Sequence, residues 1–154
     1  PTEKILRLSE PVYAQPTIAA VGVAAHETGH AIQHATNYGP LVLRSALVPV
    51  ANIGSAAGPI LAVLGIALSF GFLTNIGLLL FAASVLFYIV TLPVEFNASN
   101  RALKILAKTG TLSEEELKGV KKVLSAAAMT YVASALTAIG NLLRMIFLSK
   151  NRRN

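Results

Sequence analysis

The sequence contains no cysteine and no tryptophan. Without cysteine there is no disulfide framework, and a metal ion would have to be bound by His, Asp or Glu rather than by thiolate. The net charge of +6 points towards nucleic acid, but the basic residues are spread over short connecting segments and no tryptophan is available for stacking on bases. We therefore expect no nucleic-acid partner, and anionic lipid headgroups are the better electrostatic match.

Charged residues are also scarce. They make up 13% of the 154 residues, whereas hydrophobic residues make up 54%, and a soluble domain has about twice this charged fraction. The run 45–94 carries no charge at all. Since one membrane crossing needs roughly 20 apolar residues, this run predicts a transmembrane helical hairpin. Two buried core helices of a soluble protein are the alternative, but covering two helices that are apolar all round needs more protein than this chain supplies.

The hairpin has one locally polar point, at Thr74 and Asn75, and we predict its turn there, between spans at 53–72 and 76–93. A second uncharged run, 123–143, is richer in Ala, Ser and Thr. It either crosses the bilayer or packs against the other helices inside it. The predicted fold is thus an all-α integral membrane protein with an inserted hairpin and a further C-terminal apolar helix.

Helices are predicted on both sides of the hairpin, within one domain that spans 1–154. Their ranges are 17–38, 95–110 and 113–150. Thr17 is suited to cap the first of them, and Gly39 followed by Pro40 should stop it. Ser113 and Glu116 form a capping-box pattern at the start of the last helix. Three glutamates in that first turn favour a helix start rather than a metal cluster.

The segment before these helices has weaker signals. Residues 3–10 are compatible with a short strand, which could receive an extended peptide substrate. Pro11 and Pro16 then bracket a predicted loop. The chain begins with proline and has no initiator methionine, so we expect that its native N-terminus is absent.

The most informative stretch is "VAAHETGHAIQH", residues 23–34. On a helix, His26 and His30 lie one turn apart on the same face and can present both imidazoles to one ion. Glu27 would then lie beside an activated water as a general base, which is the arrangement of zinc metalloproteases. The alternative is a helix that carries two histidines and a glutamate by chance.

A catalytic zinc usually takes a third protein ligand. His34 is on the same face, but two further turns carry it about 12 Å along the helix from His26. Glu95 is the better candidate, because it follows the hairpin and an even number of crossings returns the chain to the face that it left. The alternative for Glu95 is an ordinary ion pair with Arg101 or Lys104.

Three stretches carry a family resemblance. They are "RLSEPVYAQPTIAAVGVAAHETGHAIQHA", "LVPVANIGS" and "LPVEFNASNRAL". Together they resemble the YugP-like neutral zinc metallopeptidases of bacterial membranes, and more distantly the HtpX and CAAX prenyl-protease group. These enzymes share HExxH followed by a helix that carries a glutamate. The resemblance covers nearly the whole chain.

The resemblance implies a zinc ion bound by His26, His30 and Glu95, with Glu27 as the general base. In HtpX-like enzymes an aspartate four residues after the ligand glutamate supports a zinc-binding histidine, and here that position is Ser99. Members of the family that the chain resembles usually carry another membrane helix before the point where this chain begins.

Several other side chains are expected around the metal ligands without binding the metal. They are His34, Asn97, Ser99 and Arg101. The oxyanion that forms during hydrolysis needs a hydrogen-bond donor, and the sequence leaves the choice open between Tyr38, Tyr131, His34, Asn97 and Arg101.

These observations predict a membrane-embedded endopeptidase that hydrolyses peptide bonds with a zinc-activated water and Glu27 as base. Its partners would be a protein or peptide substrate and the lipid bilayer of a bacterial plasma membrane, with oligomerisation left open. A membrane protein with a structural or regulatory zinc, or a helical scaffold with no metal, are the alternatives. Nine Lys and Arg residues fall on the side of the site and four on or near the other, which favours a cytoplasmic site.

Overall fold

The structure, a computed structural model, describes residues 5–151. Those residues form five α-helices and no strand. The helices are α1 (Glu10–Ala14), α2 (Ile18–Ala35), α3 (Gly39–Ala67), α4 (Gly71–Thr109) and α5 (Glu114–Asn151). The last three are each long and apolar enough to cross a membrane. The predicted class, an all-α membrane protein, is confirmed.

The chain divides into two compact units. The first consists of the residues up to Leu41 together with Leu92–Thr130, and the second consists of Val42–Thr91 together with the residues from Tyr131 onwards. The first unit contains α2, the C-terminal part of α4 and the N-terminal part of α5.

A small apolar core holds the first unit together. Its buried members come from α2, α4 and α5, and they are Ala25, Ala102, Leu106, Val120 and Leu124. On α4 the buried alanines Ala98 and Ala102 are four residues apart, so both lie on one helical face. Because their side chains are small, neighbouring helices can approach this face closely.

The helix starts of this unit follow the predicted capping chemistry. Thr17 accepts a hydrogen bond from the Ala20 amide at 3.1 Å. Glu116 accepts from the Ser113 amide at 2.8 Å, and Ser113 accepts from the Glu116 amide at 3.2 Å. Both arrangements satisfy amides that have no partner within the helix.

Helix α2 ends earlier than predicted, at Ala35 rather than near Tyr38. The Tyr38 amide donates to the Gln33 carbonyl at 2.9 Å, and Asn37 between them has a φ of 49°. This is a Schellman motif, in which asparagine takes the left-handed position that glycine usually fills. Gly39 and Pro40 do not stop α2 but begin α3, because proline fits the first turn of a helix.

The second unit is built around close contact between α3 and α4. A Cβ atom added at Gly77 would overlap the backbone of Ala62, and one added at Gly58 would lie 2.8 Å from the Phe81 amide nitrogen. Gly54 similarly approaches the Leu80 carbonyl. The glycines of these two helices therefore allow α3 and α4 to pack closely against each other.

The turn between α3 and α4 does not lie where it was predicted. It falls at residues 68–70, with Ser69 at a φ of 53°, whereas Thr74 and Asn75 are inside α4. The Thr74 hydroxyl donates to the Phe70 carbonyl at 3.2 Å. Because this bond satisfies the hydroxyl within the helix, Thr74 is no obstacle to helical structure there.

The boundary predicted between the span 76–93 and the helix 95–110 is also absent, since the single helix α4 runs through Pro93 to Thr109. Proline removes one backbone hydrogen bond, but the buried face of Val94, Ala98 and Ala102 continues at a spacing of four residues on its C-terminal side. Packing along that face favours continuation of the helix.

The segment before α2 differs as well. In the described part of the expected strand, residues 5–9 have no regular structure and Glu10 begins α1. Residues 3 and 4 of that expected strand lie outside the described residues. Where a loop was predicted between Pro11 and Pro16, the chain forms α1, which begins at Glu10 and has Pro11 in its first turn.

Candidate metal centre

The two histidines of the HETGH stretch meet the carboxylate of Glu95 in the first unit. His26 Nε2 lies 3.0 Å from Glu95 Oε2, and His30 Nε2 lies 3.5 Å from the same oxygen. The imidazole rings are perpendicular, with their centroids 4.6 Å apart. One ligand atom from each of these three residues lies within 4.8 Å of the others. The structure thus brings together the three residues that were expected to bind zinc.

The carboxylate of Glu95 is almost completely buried, with 3% of its side chain exposed, whereas 16% of the His26 side chain and 17% of the His30 side chain are exposed. A buried carboxylate needs a positive or hydrogen-bonding partner to offset the loss of water. The imidazoles supply such partners here. A divalent cation between the same atoms would supply a stronger one.

The pKa of the His30 imidazole reflects opposing effects. Burial alone would lower it, but the hydrogen bonds of the ring to Glu95 and Gln33 and the negative charges of Glu95 and Glu27 outweigh burial. The pKa of His30 is therefore raised above its ordinary value of 6.5. Without a metal ion, the site favours a proton on this ring.

The other nitrogen of each ring also has a partner. His26 Nδ1 lies 3.0 Å from the Ser99 hydroxyl, and His30 Nδ1 lies 2.9 Å from Gln33 Oε1. Metal-binding histidines usually have such a contact behind the ring, because it orients the ring and leaves the other nitrogen for the ion. Two imidazole nitrogens and one carboxylate oxygen form a donor set suited to catalytic zinc. The residues present therefore fit a zinc ion.

Ser99 occupies the position at which HtpX-like enzymes carry aspartate, and it contacts the first histidine of the motif. Asn97, which was also expected near the ligands, contacts neither histidine in the hydrogen bonds of the structure. Its Oδ1 instead accepts from Gln33 Nε2 at 3.0 Å and from Arg101 Nε at 2.8 Å. The guanidinium of Arg101 lies over the ring of Tyr38, 5.7 Å from its centroid.

Gln33 was missed by sequence reasoning. Its side chain is fully buried, and besides the His30 ring it contacts the Val94 carbonyl, to which Nε2 donates at 2.8 Å. One signal was available in the sequence. A glutamine three residues after a ligand histidine lies within reach of that histidine on a helix.

Gly29 was missed for a different reason. A Cβ atom added there would overlap the Ala98 carbonyl oxygen and would lie 3.1 Å from Ala98 Cα. Helices α2 and α4 therefore cross with their backbones nearly in contact, directly beside His30. This close crossing is what lets a single carboxylate on α4 reach both imidazoles on α2.

His34 is not a member of the ligand group. It is exposed on the last turn of α2, as expected for a residue two turns beyond His26. Glu27 is partly buried and lies close enough for its charge to act on His30. Tyr131, one of the possible oxyanion donors, belongs to the second unit.

Comparison with known proteins agrees with this geometry. The family model described as "Putative neutral zinc metallopeptidase" matches residues 1–150. The chain belongs to this zinc metallopeptidase family. It is also 49% identical to the "Putative membrane protease YugP" of Bacillus subtilis (strain 168), over all of this chain and 68% of that protein.

No solved structure matches the chain. Membership of this family implies a zinc ion, which the donor set fits, and protein or peptide substrates. The relative and the three apolar helices together mark the chain as a membrane protein.

Proposed function

We propose that this protein is a membrane-embedded zinc endopeptidase whose metal ligands are His26, His30 and Glu95 and whose general base is Glu27. The observation that carries the proposal is the convergence of the two Nε2 atoms on one buried carboxylate oxygen. A glutamate adjacent to the first of these histidines is the group that zinc peptidases use to move protons.

Zinc bound at this site would polarise the peptide carbonyl and lower the pKa of water towards about 7. The remaining chemistry belongs to the side chains. Glu27 accepts a proton from the attacking water and later delivers it to the leaving amine. His26 and His30 are held by Ser99 and Gln33, so their rings need no reorganisation when the substrate binds.

Replacing Glu27 by Gln is the test of this role. The amide keeps the shape of the carboxylate but cannot take up the proton. We expect hydrolysis of an unfolded protein substrate to fall by at least about 100-fold, with zinc content unchanged. The matched control is Glu115→Gln, an exposed glutamate in the first turn of α5, which should retain full activity.

Metal content identifies the ligands independently of activity. The full chain, purified in detergent, should contain about one zinc per molecule, and His30→Ala and Glu95→Ala should each lose it. Zinc in the wild type together with unchanged turnover in Glu27→Gln would overturn the assignment of the base. Zinc without any hydrolysis would support a structural or regulatory role for the zinc instead. A folded wild type without zinc would support the alternative of a helical membrane scaffold that binds no metal.

We also propose that the site faces the cytoplasm of a bacterial cell, where it would act on protein or peptide segments at the plasma membrane. The support is the distribution of charge, because Lys and Arg concentrate on cytoplasmic segments and most of them flank the site in this sequence.

A further inference from the structure

Gln33 is the most completely buried polar side chain of α2, and its hydrogen bonds lead to three different groups. Nε2 donates to the Val94 carbonyl at 2.8 Å and to Asn97 Oδ1 at 3.0 Å, and Oε1 lies 2.9 Å from His30 Nδ1. The side chain therefore joins a proposed metal ligand on α2 to two residues of α4. Gln33 therefore does more than pack between the helices, since each of these contacts is a hydrogen bond between polar atoms.

The orientation of the Gln33 amide follows from groups whose hydrogen-bonding roles are fixed. The Val94 backbone carbonyl can only accept, so the group facing it must be the NH₂. Arg101 can only donate, so the Asn97 atom that lies 2.8 Å from Arg101 Nε must be the side-chain oxygen. Gln33 faces this same Asn97 atom. The NH₂ of Gln33 then faces Asn97, and its carbonyl oxygen must face His30. Because that oxygen can only accept, His30 Nδ1 must carry the hydrogen.

The two histidines differ in this respect. The Ser99 hydroxyl behind His26 can donate or accept, so this contact alone does not select a protonation form of the His26 ring. Behind His30, by contrast, the amide admits only the form with hydrogen on Nδ1.

We propose that Gln33 is a positioning residue that holds His30 with hydrogen on Nδ1 and its Nε2 lone pair directed at the zinc, and that Asn97 and Arg101 hold Gln33 in turn. The proposal rests on His30 being a zinc ligand, as proposed above. A neutral amide does this work without a second buried negative charge beside Glu95. Metal sites more often use a carboxylate or a backbone carbonyl for this contact.

Zinc affinity is the first measurement, made by competition with a chelator on the full chain in detergent. We expect Gln33→Leu to weaken zinc binding by about 10–100-fold, as loss of such contacts typically does. The control is Gln15→Leu, which changes the other glutamine of the chain at an exposed position and should bind like the wild type.

A second pair of variants leaves Gln33 itself in place. Asn97→Leu removes the oxygen that receives both donors, whereas Asn97→Asp keeps an acceptor at that point. We expect the leucine variant to lose affinity and the aspartate variant to stay close to the wild type. This pair also tests the positioning role of Gln33 if Gln33→Leu does not fold.

A role in packing alone would not affect the Nδ1 hydrogen. In the zinc-loaded wild type, proton–nitrogen NMR should show the His30 Nδ1 hydrogen in slow exchange with water, and in zinc-loaded Gln33→Leu the signal should be lost to fast exchange. Zinc binding in the wild type with equal affinity in Gln33→Leu and Gln15→Leu would overturn the role of Gln33 but not the proposed function. A folded wild type that binds no zinc would overturn both.

Discussion

His30 contacts two partners through two different nitrogens, and a proton competes with a metal ion for one of them. The carboxylate of Glu95 lies at Nε2 and the amide oxygen of Gln33 lies at Nδ1. In the metal-free protein both nitrogens can carry hydrogen, and this agrees with the raised pKa of the ring. Zinc binding must remove the proton from Nε2.

This competition predicts how zinc binding depends on pH. Because the pKa of His30 is raised above 6.5, we expect zinc affinity to begin falling at a pH above that value as the solution is acidified. Chelator competition at a series of pH values between about 8 and 6 measures this. His34→Gln, which changes an exposed histidine on the same helix, should leave the profile unchanged.

The stability of the metal-free protein should change in the opposite direction. A raised pKa in the folded state means that the stabilising contribution of His30 is fully present below the unfolded pKa, about 6.5, and is lost as pH rises through the folded value. Thermal unfolding of the metal-free chain at several pH values is the measurement. Zinc affinity that does not change across this range would contradict the proposed ligand role of His30.

Sequence reasoning could name His26, His30 and Glu95 because each is marked by spacing or by isolation in an uncharged region. It could also point to Ser99, whose position relative to Glu95 fixes its helical face. It could not assign Gln33, since nothing in a linear pattern shows that a polar side chain on α2 is buried against the Val94 carbonyl. That contact depends on how two helices cross.

At the level of elements, the crossing of α2 and α4 depends on Gly29. Because a Cβ atom there would overlap a backbone carbonyl that cannot rotate away, we expect Gly29→Ala to destabilise the protein by about 1–3 kcal/mol. Separation of the helices should also draw Glu95 away from the histidines and weaken zinc binding. Thermal unfolding and zinc content, measured on the same purified sample, test both effects.

Gly140→Ala is the matched control for this variant, because it also changes a helical glycine to alanine but meets no atom within 4 Å. Alanine favours helix over glycine by up to about 1 kcal/mol, so this variant should be unchanged or slightly more stable. If Gly29→Ala behaved in the same way, the two backbones could not be in close contact at this crossing.

The elements were predictable wherever a local signal decides them. Thr17 and the pair Ser113 and Glu116 are examples, because a helix cap depends on residues within one turn. The turn at Ser69 and the passage of α4 through Pro93 were not predictable in this way. In both places the outcome depends on packing along the helix faces, which outweighs the preference of a single residue.

At the level of the whole molecule, the proposed orientation can be tested directly because the chain has no cysteine of its own. Ser69→Cys lies in the turn after α3, and Thr111→Cys lies in the exposed connection between α4 and α5. If α3 and α4 each cross the membrane once, these positions are on opposite sides. A cytoplasmic site predicts that the connection after α4 is cytoplasmic.

In intact cells, a maleimide that cannot cross membranes should label Ser69→Cys, and it should label Thr111→Cys only after the membrane is permeabilised. The unsubstituted chain should not react at all. The reverse labelling pattern would place the site on the outer side of the membrane, and labelling of both positions in intact cells would contradict a membrane hairpin.

The contact between Gly29 and Ala98 has a consequence for the recognition of similar sites in other sequences. HExxH specifies the metal-facing side of one helix and says nothing about the helix that must lie against it. With Gly29 and Gln33 included, the pattern becomes H-E-x-G-H-x-x-Q. The added glycine allows the partner helix to approach closely, and the added glutamine contacts the second histidine from behind. A chain that has HExxH but carries a larger side chain before the second histidine would need a wider helix crossing. We expect its third ligand to lie at a different position relative to the HExxH helix.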